Sequence, residues 1–350
     1  MMNEPRIHRT AAAAALAAAA LSWSTAAWAG PRFGTDLDAG VNHSCAVTSC
    51  GEVKCWGRND WGQSNDRSPS PPIYIIGTYQ APFLEASVGQ YHTCALDEDG
   101  EVLCWGAANY GQTASPTGPF THLDAGYNHN CAIRSSNGSL ACWGANDTGQ
   151  STPPSGSWRD VSAGRQHSCA VKSDRTEVRC WGSNSYGQGR TVLSTDLVTG
   201  ELFAEVSAGD YHTCARTTSS RVYCWGYDYY GAVSGGGQAF DQGGGIFRHP
   251  QSAWRQVSAG GHGSAGIFQD GPTAADNEVW AWGWPFSSAG PFTPPSIAPS
   301  QVAAGYNHAC LIDNDGEVTC WGSNQYGKAT HDVTGSCPGS PFPLPPPFGL

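Results

Sequence analysis

One short pattern of residues recurs seven times along this chain, and an internal repeat constrains a fold more tightly than composition does. Each copy opens on a small residue and glycine and closes on Trp-Gly. The copies read DAGVNHSCAV with EVKCWGRNDWGQ, SVGQYHTCAL with EVLCWGAANYGQ, DAGYNHNCAI with SLACWGANDTGQ, SAGRQHSCAV with EVRCWGSNSYGQ, SAGDYHTCAR with RVYCWGYDYYGA, SAGGHGSAGI with EVWAWGWPFSSA, and AAGYNHACLI with EVTCWGSNQYGK. The opening glycines are Gly40, Gly89, Gly126, Gly164, Gly209, Gly260 and Gly305. Within a copy, short β-branched or aromatic runs alternate with polar residues, and Asp99-Gly100, Asn137-Gly138 and Asp315-Gly316 sit where a hairpin must reverse. No segment carries a sustained helical period, and 45 Gly and 23 Pro against 2 Met exclude a helical bundle or coiled coil. All-β repeats of this length that close on themselves predict a β-propeller.

The ends of the chain read differently. Arg6 and Arg9, the apolar run Ala11 to Ser22, and Ala27-Trp28-Ala29 form the pattern of a secretory signal peptide over 1–29, cleaved after Ala29. The expected propeller covers 30–336, and 337–350 is a Pro-rich tail. The apolar run is too short for a bilayer of about 30 Å, and no other stretch reaches that length. The reading is therefore a secreted, periplasmic or cell-surface protein with no membrane span, expected as a monomer. A net charge of −11 with no basic stripe excludes a nucleic-acid partner.

Twelve of the 14 cysteines occupy two slots: Cys45/Cys55, Cys94/Cys104, Cys131/Cys142, Cys169/Cys180, Cys214/Cys224 and Cys310/Cys320. A hairpin turn lies midway in each pair, so antiparallel strands bring the slots opposite each other, within reach of a disulfide. The sixth copy has Ala265 and Ala281 in both slots, losing the two together as a bonded pair should. One pair per copy cannot supply the four ligands of a zinc site. Cys50 and Cys337 remain, and a bridge between them would latch the ends of the ring.

His43, His92, His129, His167, His212 and His308 share one slot. They read as buried imidazoles bonded to backbone groups of their own blade. Equivalent positions on different blades lie too far apart for a bond of about 2 Å to one metal, and copy six has Gly263 there. The Trp-Gly tryptophans Trp56, Trp105, Trp143, Trp181, Trp225, Trp282 and Trp321 read as filling the space between neighbouring blades. Asp97-Glu98-Asp99-Gly100 and Asp313-Asn314-Asp315-Gly316 lack the remaining ligands of a calcium loop. His262-Gly263-Ser264-Ala265-Gly266 has His where a nucleophile elbow needs Gly. No metal, cofactor or catalytic residue is expected, and the chain does not read as an enzyme.

The residues that carry the pattern, AGxxHSCA followed by VxCWGxNxxGQ, resemble the regulator of chromosome condensation repeat family over about Leu37 to Lys328. The resemblance implies a seven-bladed propeller of four-stranded antiparallel blades. The family includes a nucleotide exchange factor for the Ran GTPase, a secreted bacterial β-lactamase inhibitor and a plant ultraviolet receptor, so fold alone assigns no activity. The paired cysteines are not part of the general pattern and resemble an adaptation for an exported, bacterial-type member.

Binding is expected where equivalent slots vary. The two residues after Ala-Gly, or Val-Gly in copy two, supply Tyr91, Tyr127, Tyr211 and Tyr306; the position before the last glycine of WGxNxxG supplies Trp61, Tyr110, Tyr186, Tyr230 and Tyr326. Rotational symmetry places each slot on a ring about the axis, and a rim of Tyr and Trp has the composition of protein-binding hot spots. The secreted inhibitor of the family grips its enzyme with aromatic residues from the loops of one propeller face. The long connections Ser68 to Phe83 and Ala232 to Pro250 are further candidates. The expected function is a secreted scaffold that engages an extracellular or periplasmic protein, as an inhibitor or a binding partner. A cell-surface lectin that binds glycans is the alternative. A nucleotide exchange factor ranks below both, because leader, charge and disulfides oppose an intracellular GTPase partner.

Overall fold

Each copy folds into one antiparallel sheet, and the seven sheets form a propeller. The computed structural model describes residues 36–49, 51–67, 82–197, 200–235, 240–241, 245–249, 253–269, 277–286, 290–292, 298–314 and 316–329. The expected leader, most of the Ser68–Phe83 connection, the tail, Cys50 and Cys337 lie outside them, and with them the proposed latch. The innermost strands are Asp36–Ala39, Phe83–Val88, Phe120–Ala125, Trp158–Ala163, Phe203–Ala208, Trp254–Ala259 and Pro299–Ala304. Each packs on the innermost strand of the next blade, and the last packs on the first, which closes the ring. The second strands are His43–Val47, His92–Asp97, His129–Arg134, His167–Lys172, His212–Thr217, Gly263–Gln269 and His308–Asp313. The third, running into Trp-Gly, are Val53–Gly57, Val102–Gly106, Leu140–Gly144, Glu177–Gly182, Val222–Gly226, Asn277–Gly283 and Val318–Gly322.

Blades four, five and six carry outer strands as well: Val192–Leu193, the pair Phe240–Asp241 and Ile246–Arg248, and Gly290–Phe292. The other four show three strands among the described residues, so the four-stranded blade is not uniform. Copies two and three are the shortest, and Pro116, Pro119, Pro153 and Pro154 follow their third strands. Proline cannot donate to a ladder.

Six disulfides join the expected pairs, one per blade, with the cysteines directly opposite across the second and third strands. Ala265 and Ala281 face each other in the sixth blade. That blade gains aromatic mass instead, with Trp254 and Trp282 buried and Phe268 and Trp280 packed against them. The Trp-Gly rings lie between blades: Trp56 packs with Cys310 and Ile312, Trp105 with Cys45 and Val53, and Trp225 with Val178 and Val192.

The histidines make a cross-blade bond rather than the expected bond to their own blade. Each Nε2 meets the polar side chain that follows the next blade's histidine slot, at 2.7–2.9 Å: His43 to Thr93, His92 to Asn130, His129 to Ser168, His167 to Thr213, His212 to Ser264 and His308 to Ser44. Thr93, Ser168, Thr213 and Ser264 donate their own hydrogens to the carbonyls of Gln63, Gln150, Gln188 and Ala232. The imidazole facing each of these is therefore the Nε2–H tautomer, and its Nδ1 carries no proton. The indole Nε1 groups of Trp105, Trp181 and Trp282 donate to three of those carbonyls. Where copy six lacks histidine, the acceptor slot of copy seven is Ala309, so both halves of the bond are gone. A Cβ on Gly263 would meet Phe286 at 2.8 Å, and Phe286 fills that seam.

The innermost strand of each blade is a sheet edge, and the preceding blade satisfies it. Asp36, Glu85, Asp160, Glu205 and Gln256 accept from the N–H groups of Ala86, Leu123, Val206, Val257 and Val302. One step nearer the glycine, Asp38, Ser87, Asp124, Ser162, Ser207 and Ser258 do the same. The carboxylates along the axis are thus blade-to-blade joints. His122 stands between Glu85 at 2.7 Å and Asp160 at 3.2 Å. Burial opposes its charge, but the two carboxylates outweigh that and hold its pKa well above the ordinary value.

The opening glycines are required by close approach. A Cβ on Gly126 would lie 2.2 Å from the carbonyl oxygen of Gly164 and 2.6 Å from the His129 ring. Gly126→Ala should cost about 2–3 kcal/mol in denaturant unfolding. Gly149 has φ +86 but open space around it, so Gly149→Ala should cost about 1 kcal/mol. Equal costs would count against this account.

Candidate functional site

The two variable slots meet on one face. The first residue after each Trp-Gly donates its N–H to the carbonyl preceding the histidine slot: Arg58 to Asn42, Ala107 to Tyr91, Ala145 to Asn128, Ser183 to Gln166, Tyr227 to Tyr211, Trp284 to His262 and Ser323 to Asn307. Each WGxNxxG loop is therefore folded onto the glycine loop of its own blade. Backbone bonds between successive glycine loops, Tyr127 to Gly164 through Tyr306 to Gly40, tie the inner rim around the axis.

On that face the rings do not spread evenly. Tyr186, Tyr211 and Tyr306 join Tyr227, Tyr229, Tyr230, His262 and Trp284 in one chain of ring contacts across blades four to seven. Tyr211 stacks on His262 at 5.9 Å and 14°, and His262 meets Tyr306 at 5.1 Å. The cluster is open to solvent, with Tyr229 77% and Trp284 43% exposed. Tyr91, Tyr127, Tyr211 and Tyr306 on the inner rim are half-buried, whereas Trp61, Tyr110, Tyr186, Tyr230 and Tyr326 on the outer loops are exposed. Trp61 and Tyr110 stand apart from the ring contacts among the described residues.

Two arginines complete the surface. Arg165 lies over Tyr127 at 4.8 Å and Tyr211 at 5.2 Å, donates to the Tyr211 hydroxyl, and faces Asp210 at 3.6 Å. Burial pushes the Asp210 carboxyl up to about 6, against the pull of Arg165. Arg58 lies between Tyr91 at 5.2 Å and Tyr326 at 5.0 Å.

The missed residues are Tyr227, Tyr229, Trp284 and Arg58; Arg165 and His262 stand in the variable slot after the opening glycine, where binding was expected. Tyr227 and Trp284 share the slot directly after Trp-Gly, which holds Arg58, Ala107, Ala145, Ser183 and Ser323 in the other copies. That variability was the available signal. In the Ala232–Pro250 connection, Ile246 is buried and Phe247 packs on the next core, so those two side chains are structural. Asp97 accepts from the N–H groups of Asp99 and Glu101, which makes its segment a hairpin turn.

The regulator of chromosome condensation (RCC1) repeat matches residues 35–63, 85–112, 120–150, 158–188, 203–232 and 300–328, six of the seven copies. The unmatched copy is the sixth, which lacks both cysteines and the histidine. Among solved structures, the ectodomain of the receptor kinase CR4 from Physcomitrella patens is 22% identical, with a TM-score of 0.61 over 83% of this chain and 74% of that one. The ectodomain of ACR4 from Arabidopsis thaliana is 20% identical, with a TM-score of 0.59 over 83% and 95%. Prp20p of Saccharomyces cerevisiae, described with its binding to Gsp1p and histones, is 16% identical, with a TM-score of 0.56 over 77% and 80%. At these identities the likeness is one of fold.

Proposed function

Because the chain belongs to the regulator of chromosome condensation (RCC1) repeat family, we propose that it is a non-catalytic propeller that binds another protein through its glycine-loop face, outside the reducing cytosol. The observation that carries this is the continuous cluster from Tyr186 to Tyr306, most of it borne on loops and partly exposed. Tyrosine and tryptophan offer large rigid contact area at small conformational cost, which makes them the usual anchors of interfaces. The rigid ring beneath holds them in place, so little ordering entropy opposes binding. Six disulfides and the leader over 1–29 support an oxidising compartment.

The test is capture of partners from culture medium or periplasm, identification by mass spectrometry, and measured affinity for the partner identified. Tyr229→Ala and Trp284→Ala should each fold with a stability change within about 1 kcal/mol, and at least one should weaken binding by about 2 kcal/mol or more. Trp225→Ala is the contrast: it is 1% exposed, and its loss should cost about 3–5 kcal/mol of stability. Tyrosine and tryptophan variants of the face that keep full affinity would move the site. Preferential binding to a glycan array would favour the lectin reading instead.

A further inference from the structure

The face carries three groups of aromatic rings, and two already hold a cation from this chain. Arg165 fills the first, between Tyr127 and Tyr211, and Arg58 fills the second, between Tyr91 and Tyr326. The third is built from Tyr227, Tyr229, Tyr230, His262 and Trp284. Among the described residues, no lysine or arginine lies over its tyrosine or tryptophan rings. We infer that this third group takes a guanidinium or ammonium group carried by the bound protein, an inference that rests on the protein-binding reading above.

Three observations support the cation over an apolar or sugar occupant. The first is ring geometry. Tyr229 and Tyr230 meet at 90° with centroids 5.0 Å apart, Tyr227 and Tyr230 at 74°, and His262 and Trp284 at 61°. Tyr227 and Tyr229 lie near parallel, at 17°, but rings set at the other angles form no single flat platform for a sugar, whereas a compact cation needs only the negative face of a ring. The second is charge. The chain carries −11 overall, and Asp228 stands in the same loop between Tyr227 and Tyr229. The third is that His262 does not supply the cation itself, since burial and the nearby Arg165 lower its pKa.

The test uses Ac-Gly-Arg-Gly-amide, Ac-Gly-Lys-Gly-amide, the norleucine analogue and chitotriose as probes, titrated into the intact protein at physiological salt by calorimetry and saturation-transfer NMR. The arginine and lysine peptides should bind about tenfold more tightly than norleucine. Tyr230→Leu and Trp284→Leu should each abolish that preference. Tyr230→Phe should retain it, since the ring face survives while the hydroxyl is lost. Norleucine binding equal to arginine, or loss of preference in Tyr230→Phe, would overturn the inference. Either result, alongside an identified partner whose capture still needs Tyr229 and Trp284, would leave the protein-binding reading standing. Preference for chitotriose would overturn both.

Discussion

Acidification is expected to unfold this protein steeply, with stability greatest near pH 7 and lost between about pH 5 and pH 3.5. The cause is the histidine ring. Burial lowers His43, His129, His167, His212 and His308 to about 3 and His92 and His249 to about 4. The unfolded chain titrates these groups near 6.5, so below that pH it binds protons that the native state refuses. A protonated ring would carry an Nδ1–H, and Nδ1 of His43, His92, His129, His167 and His308 meets no acceptor in the protein. Each such group contributes stability above pH 6.5 that disappears as pH falls toward 3.

Carboxylates oppose the trend in part. Burial, with Glu85 beside it, raises Asp36 to about 7; burial, with Asp124 beside it, raises Asp38 to about 8; Asp210 rises to about 6. Their folded pKa values exceed the unfolded 3.8, so their contribution is full below about pH 4 and declines as pH rises through 6 to 8. Near pH 5, unfolding then takes up about four protons net, a slope of about 5–6 kcal/mol per pH unit. A domain of ordinary stability, about 5–15 kcal/mol, is exhausted within a few units. Denaturant titrations read by tryptophan fluorescence between pH 8 and 4 test this. His129→Gln, which keeps a donor for Ser168, should lower the slope by about one proton. A flat profile between pH 6.5 and 4.5 would refute the neutral histidine ring.

Much of the fold was legible because its chemistry is local. The cysteine slots lie 10 or 11 residues apart about a turn, so the pairing of second and third strands followed from the pattern itself. The partner of each histidine was not legible, because it lies a whole blade away. Ser44, Thr93, Asn130, Ser168, Thr213 and Ser264 read as ordinary polar strand residues. Only the joint change to Gly263 and Ala309 links the two columns. The face divided in the same way. Tyr91, Tyr127, Tyr211 and Tyr306 recur in register, so symmetry gathered them on one rim. Tyr227 and Trp284 occupy a slot elsewhere held by small residues and arginine, and their clustering depends on blades five and six being neighbours.

Complete reduction is expected to leave a chain that no longer folds at 37 °C, reached in two stages. Each bridge closes a loop of 10 or 11 residues, worth about 2.7 kcal/mol through the unfolded state, and six together on the order of 15 kcal/mol. That matches or exceeds the net stability of a typical domain. The order of loss follows from the outer strands. In blades four and five these pair with the third strand, and Cys180 and Cys224 are 8% and 0% exposed. In blades one, two, three and seven the described residues form no outer strand, blade one having a single bridge from Arg67 to Val53, and Cys55, Cys104, Cys142 and Cys320 are partly exposed. A thiolate must reach a sulfur along the S–S axis, so access sets the rate. Timed exposure to dithiothreitol, alkylation and peptide mapping should therefore show those four blades labelled first, with Cys169/Cys180 and Cys214/Cys224 labelled last. Simultaneous labelling of all six bridges would mean that reduction proceeds only through global unfolding. A cooperative thermal transition in the fully reduced, alkylated protein would show that packing between the blades, as in the bridge-free sixth, holds the ring without them.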